Sequence, residues 1–252
     1  MLRALLERQL RPDLILGSSV GALNGLAVAV SPDLEAVSRL TETWTTLQAR
    51  DVFSSSVMGQ IANLIRHGTY LHDNGALRRL IEQSAGHRRI EELAVPFQCV
   101  ASCIEEASAR WFDSGPVVDA VLASCAVPGL LPTVEVGQQH YMDGGLVASV
   151  PVGRAVELGA TRIFVLQVGR LERRLSAPTR PWDVALVAFE IARRHQFTYD
   201  MSRLPDGVEV HVLPAGDPPS AVSVRYRSVS AVSRRIDAAH AASAVYLDQL
   251  AG

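Results

Sequence analysis

The chain has no lysine. All 24 of its basic residues are arginine, and they are scattered, which reads as a compositional bias rather than a binding device. A strong excess of either charge is missing too. The formal net charge is −2 over 252 residues, so the basic footprint of a nucleic-acid partner is absent. Cysteine is scarce. Cys99, Cys103 and Cys125 make no disulfide framework, and a reduced, cytoplasmic compartment fits them best. No apolar run approaches the ~20 residues of a membrane span. The N-terminus does not read as a secretory leader, because Arg3, Glu7 and Arg8 interrupt any apolar region. There is no repeat and no low-complexity tail. Nothing calls for a metal or another cofactor.

What is present centres on one stretch. Leu14-Ile15-Leu16 reads as the end of a buried strand, and a helix-compatible run reaches Val30. Between them sits Gly-x-Ser-x-Gly, as Gly17, Ser18, Ser19, Val20 and Gly21. This is the nucleophile-elbow pattern, a serine held on a tight strand-to-helix turn. Side chains two residues either side of Ser19 are expected to collide as strand and helix crowd each other, which gives Gly17 and Gly21 a steric job. The helix start would point backbone N–H groups, Val20's first, at whatever Ser19 attacks. Alone the pattern is weak: a chance match is expected about once in ten chains of this length. A Gly/Ser-rich helix start, or an anion site at a helix N-terminus, also fits these letters, but strand, elbow and helix come in the order that the elbow requires.

The rest of the chain alternates helix and strand, as in an α/β domain with a mostly parallel sheet. Met1 to Leu10 reads as a helix, and Leu34 to Gln48 as another behind a Ser31-Pro32-Asp33 cap. Val57, Ile61, Leu64 and Ile65 make an amphipathic stripe, either a packed helix or a membrane-facing cover. Asp73-Asn74 caps a helix to Ser84. Strands are expected from Phe97 to Cys103 and Ala107 to Phe112, then a helix from Val117 to Ser124 and a hairpin around Gly137. A polar loop covers residues 170–181, a long helix follows from Trp182, and an alanine-rich helix closes the chain.

A serine hydroxyl needs a base and donors for the oxyanion it creates. Seven histidines exist, none in a distinctive setting. An α/β-hydrolase places several strands before its elbow, and here only Met1 to Asp13 precede the strand. The other candidate is Asp143, which follows a predicted strand and precedes Gly144 and Gly145. Asp-Gly is also a common hairpin-turn pair, so both readings stand. An aspartate base would need a partly desolvated cleft to raise its ordinary pKa of about 4.

Three stretches together resemble the patatin-like phospholipase family. They are Gly17-Ser18-Ser19-Val20-Gly21-Ala22-Leu23-Asn24, Ala123-Ser124-Cys125-Ala126-Val127-Pro128 with Pro132, and Tyr141-Met142-Asp143-Gly144-Gly145-Leu146 followed by Pro151. The resemblance runs over roughly residues 1 to 170. It implies a three-layer α/β/α fold with a mostly parallel central sheet, and residues 1–252 as one domain. It also implies a Ser-Asp dyad without histidine: Ser19 as nucleophile, Asp143 as general base, Gly144 and Gly145 supporting the motif. The implied activity is a serine lipid acyl hydrolase, of phospholipase A or lysophospholipase type, working through an acyl-enzyme. The implied partner is a lipid or phospholipid acyl ester met at a membrane periphery; oligomeric state is left open.

One departure matters. Family members begin with a strand and a glycine-rich loop that supplies oxyanion N–H groups, whereas this sequence starts in the helix that follows and has no Gly-Gly-Gly. Losing one oxyanion donor costs about 10²- to 10³-fold in rate, and losing the strand would expose an edge of Leu14–Leu16. The expectation is an N-terminally incomplete hydrolase. The alternative is a catalytically impaired patatin-fold protein that binds lipid or a partner. A smaller departure is Ser149-Val150 before Pro151, where the family often has Asn-Pro.

Overall fold

The computed structural model describes residues 1–46, 70, 72–167, 174–179, 181–216 and 229–251. The stripe from Val57 to Ile65 lies outside the described residues, as do residues 170–173 of the polar loop. In chain order the elements are α1 (Leu2–Glu7), β1 (Ile15–Ser18), α2 (Val20–Val30), α3 (Leu34–Thr46) and α4 (Gly75–Ala85). Then come β2 (Phe97–Cys103), β3 (Ser108–Phe112), α5 (Val117–Ser124), β4 (Val134–Val136) and β5 (Gln139–Asp143). The last are α6 (Gly145–Ala148), α7 (Val152–Glu157), β6 (Arg162–Val165), α8 (Pro181–Met201), β7 (Glu209–Val212) and α9 (Val229–Ala251). The caps are local and polar. Asp33 Oδ1 accepts from the Ala36 N–H at 2.7 Å, and Asp73 Oδ1 from the Gly75 N–H at 2.8 Å.

The central strand is β2, and it alternates. Phe97, Cys99, Ala101 and Cys103 face a core shared with Leu26 of α2, Ile81 of α4, and Val121 and Leu122 of α5. Gln98, Val100 and Ser102 face the other side, where Gln98 accepts from Arg154 Nε at 3.2 Å and α6 packs on the strand. Helices therefore cover both faces, which is the α/β/α layering expected. Burial of Leu26, Ile81 and Leu122 is complete or nearly so, and each contributes roughly 1.5–3 kcal/mol of transfer free energy.

The sheet is mixed rather than mostly parallel. β1 with β2 and β6 with β7 are parallel; β2 with β3, β2 with β5 and β4 with β5 are antiparallel. The reason is local. A short turn at residues 104–107 returns β2 directly into β3, and Gly137, at φ 69°, closes the β4–β5 hairpin. Neither connection leaves room for a crossover helix. β6 and β7 form a separate two-stranded sheet. Phe164 and Leu166 lie against Leu5 of α1 and Leu247 of α9, whereas Ile163 and Val165 lie against Val152 of α7 and Phe197 of α8.

The register of β2 decides what meets what. Its residues 99–103 pair with β3 along one edge. The opposite edge is divided: Phe97 to Val100 pair with β1, and Ala101 to Cys103 pair with β5. β1 runs with β2 and β5 runs against it, so the two strands point at each other. Ser18 lies opposite Val100, and Asp143 opposite Ala101. Among the described residues, β1 has β2 as its one strand neighbour.

Candidate active site

Ser19 is the single residue between β1 and α2, and it has φ 55° and ψ −127°. A side-chain-bearing residue in that region stores about 1–3 kcal/mol of strain. Gly17 makes the turn sterically feasible, because a Cβ there would lie 2.5 Å from Ala22 Cα. Gly21 has no such role. Nothing lies within 4 Å of the position its Cβ would take, which corrects the expectation that both glycines relieve a collision. Only the strand-side glycine is crowded. Ser19 is part-exposed and Val20 is exposed. The N–H groups of Val20 and Gly21, in the first turn of an 11-residue helix, have no acceptor within that helix.

Asp143 ends β5 and is fully buried. Its Oδ2 accepts from the Ser19 hydroxyl at 2.5 Å and its Oδ1 from the Gly145 N–H at 2.7 Å. The first distance is that of a charge-assisted O–H···O⁻ bond. The backbone carbonyl of Asp143 accepts from the Ser102 hydroxyl at 2.8 Å. Burial pushes the carboxyl up to about 6, against the bonds from Ser19 and Gly145 and the positive charge of Arg193, which pull it down. Asp143 is therefore a carboxylate at neutral pH that accepts a proton more readily than an exposed aspartate.

The two glycines after Asp143 have steric reasons of their own. A Cβ on Gly144 would lie 2.1 Å from the Val100 carbonyl oxygen; one on Gly145 would lie 2.7 Å from Phe189 Cζ and 3.0 Å from Asp143 Oδ1. Gly144 has φ −64°, so Asp143-Gly144 is not the left-handed hairpin turn that its letters also permit. The glycine is needed because the chain passes tightly over β2.

The end of α5 braces both halves, which sequence reasoning missed. Ser124 is fully buried. Its Oγ accepts from the Ser19 N–H at 3.0 Å, and its carbonyl from the Gly144 N–H at 3.2 Å. Two residues on, the Ala126 carbonyl accepts from the Asp143 N–H at 2.9 Å. The Ala-Ser-Cys-Ala-Val-Pro stretch flagged this segment but not its hydrogen bonds. Two of the histidines are engaged elsewhere, His140 with Glu105 at 2.7 Å and His240 with Glu7 at 2.8 Å. Among the described residues, the partners of Ser19's side chain and N–H are Asp143 and Ser124.

Fold and site define a class: an α/β/α protein in which a serine on a strand–turn–helix elbow bonds a buried aspartate. Comparison with known proteins narrows it. The sequence profile of the patatin-like phospholipases matches residues 1–156, and the chain belongs to that family. It is 26% identical over 174 residues to a putative patatin-like phospholipase domain-containing protein of Caenorhabditis elegans, covering 67% of this chain and 15% of that protein. It is 29% identical over 175 residues to a lysophospholipase of Candida glabrata, covering 69% and 10%. It is 26% identical over 171 residues to human patatin-like phospholipase domain-containing protein 6, covering 67% and 12%. The chain thus spans 15% or less of the length of these relatives.

Proposed function

We propose that the chain is a serine lipid acyl hydrolase that uses Ser19 as nucleophile and Asp143 as general base. The observation that carries this reading is the 2.5 Å bond between Ser19 Oγ and Asp143 Oδ2, made by a strained elbow serine to a fully buried carboxylate. Asp143 takes the hydroxyl proton as Ser19 Oγ attacks the ester carbonyl. The negative charge that develops on the carbonyl oxygen faces the N–H groups of Val20 and Gly21 at the start of α2. Collapse of the tetrahedral intermediate breaks the ester C–O bond. The alcohol leaves with the proton from Asp143, and the acyl group stays on Ser19. Water then attacks the acyl-enzyme, gives its proton to Asp143 and releases the fatty acid, and the proton returns to Ser19.

The substrate class is a phospholipid or lysophospholipid acyl ester, supported by the family and by relatives named as lysophospholipases. Such substrates sit in bilayers and micelles, so the chain would meet them peripherally. Among the described residues, no helix is long and apolar enough to cross a membrane.

The test joins a fluorophosphonate probe with hydrolysis of a lysophosphatidylcholine and a short-chain p-nitrophenyl ester. The probe should label Ser19, and Ser19→Ala and Asp143→Ala should each lose turnover. Full activity in Asp143→Ala would sink the dyad. Lipid binding without turnover, unchanged in Ser19→Ala, would assign a binding role instead.

A further inference from the structure

α8 lies across α6, and Phe189 makes the contact, its ring filling the space a side chain on Gly145 would need. Arg193 follows Phe189 by four residues and so shares its face of the helix. The Arg193 side chain is only 18% exposed. Its Nε is buried with no hydrogen-bond partner. Its one ion-pair partner among the described residues is Glu190, at 3.2 Å from Nη2, and Glu190 is shared with Arg194 Nε at 3.3 Å. A largely buried guanidinium with an unused donor is costly, and the Glu190 pair offsets only part of that cost. The position beside Gly145 that lies 2.7 Å from Phe189 Cζ lies 3.0 Å from Asp143 Oδ1, so the face of α8 that carries Phe189 and Arg193 is turned toward that carboxylate.

We propose, on the reading of Ser19 and Asp143 given above, that Arg193 is a positioning residue, the counter-charge packed toward the buried Asp143 carboxylate. Its field opposes the burial that pushes the Asp143 carboxyl up. The other groups facing Asp143 are neutral. They are the Ser19 hydroxyl, the Gly145 N–H, the Ser102 hydroxyl from β2, and the Cys125 thiol just after α5, whose own titration burial raises well out of range. Among the described residues, Arg193 is the charged group that acts on Asp143. Glu190 pairs with Arg193, so removing its charge is expected to strengthen the field of Arg193 at Asp143.

The test reads the carboxyl directly and needs no turnover. Aspartate is labelled with ¹³C at Cγ, and the Asp143 signal is assigned by its loss in Asp143→Asn. Arg193→Gln and Arg193→Met, which keeps the packing stem, should move its titration to higher pH. Arg193→Lys should leave it close to the parent, and Glu190→Gln should move it lower. Wherever turnover is measurable, the acid limb of kcat/KM should follow, with about tenfold lost below the limb for each pH unit of movement. A merely structural Arg193 would lower the melting temperature without moving the titration. Superimposable titrations in Arg193→Gln or Arg193→Met overturn the inference while leaving the hydrolase reading intact. Should neither variant fold, an unmoved titration in Glu190→Gln overturns it. Absence of Ser19-dependent turnover in the parent chain counts against the hydrolase reading alone.

Discussion

The two elbow glycines look equivalent as letters and differ as sites. Gly17→Ala puts a methyl 2.5 Å from Ala22 Cα, so it should destabilise the fold by several kcal/mol or prevent soluble expression. Gly21→Ala meets open space inside a helix. It should leave the melting temperature unchanged or raise it, because alanine favours a helix over glycine by up to ~1 kcal/mol. Equal losses from both would refute this account of the turn. Ser124→Ala removes the acceptor that pins the Ser19 N–H. It should cost about 1–3 kcal/mol and slow fluorophosphonate labelling more than its stability loss explains. Ser19, Asp143, Gly144 and Gly145 were legible in the sequence because each sits in a short pattern with local meaning. The role of Ser124 was not, since a hydrogen bond to a residue 105 positions away leaves no periodicity behind, and Arg193 stands in no local pattern.

The elements that came through best are those whose signals are local. The helix from Val117 to Ser124, the hairpin around Gly137 and the strand from Phe97 to Cys103 lie where their patterns place them. Strand direction is different, because it depends on how each connection returns. The parallel expectation failed where a short turn joins β2 to β3, and a run of apolar residues carries no mark of its partner's sense. α5 shows how an element serves core and site together. It is buried from Val117 to Ser124 except for Asp119, and its last residues hold the elbow and the end of β5. Leu122→Ala, at 1% exposed, should cost ~2–5 kcal/mol in a urea melt. A loss near zero would mean that the neighbouring helices collapse into the space.

For the whole molecule, Asp143 sets function against stability. Its carboxyl titrates near 6 in the fold and near 3.9 in an unfolded chain. The folded state therefore keeps a proton that the unfolded state gives up. Stability from this group is full below about pH 4 and is lost as pH rises through 6. The proposed base works only above that same limb. Asp143→Asn should remove the opposition, raising stability at pH 8 by up to ~3 kcal/mol and changing it little at pH 4. Thermal melts at the two pH values check this, and a uniform shift at both would contradict it. A last consequence follows from the way β1 and β5 meet head-on along one edge of β2. Ser19 and Asp143 are placed by consecutive rungs of a single strand, Val100 and Ala101, so the central strand acts as their ruler. Both are tied to that strand, so partial melting that frees one is expected to free the other. In a urea series, the loss of Ser19 labelling and the loss of helical signal should therefore fall on one curve.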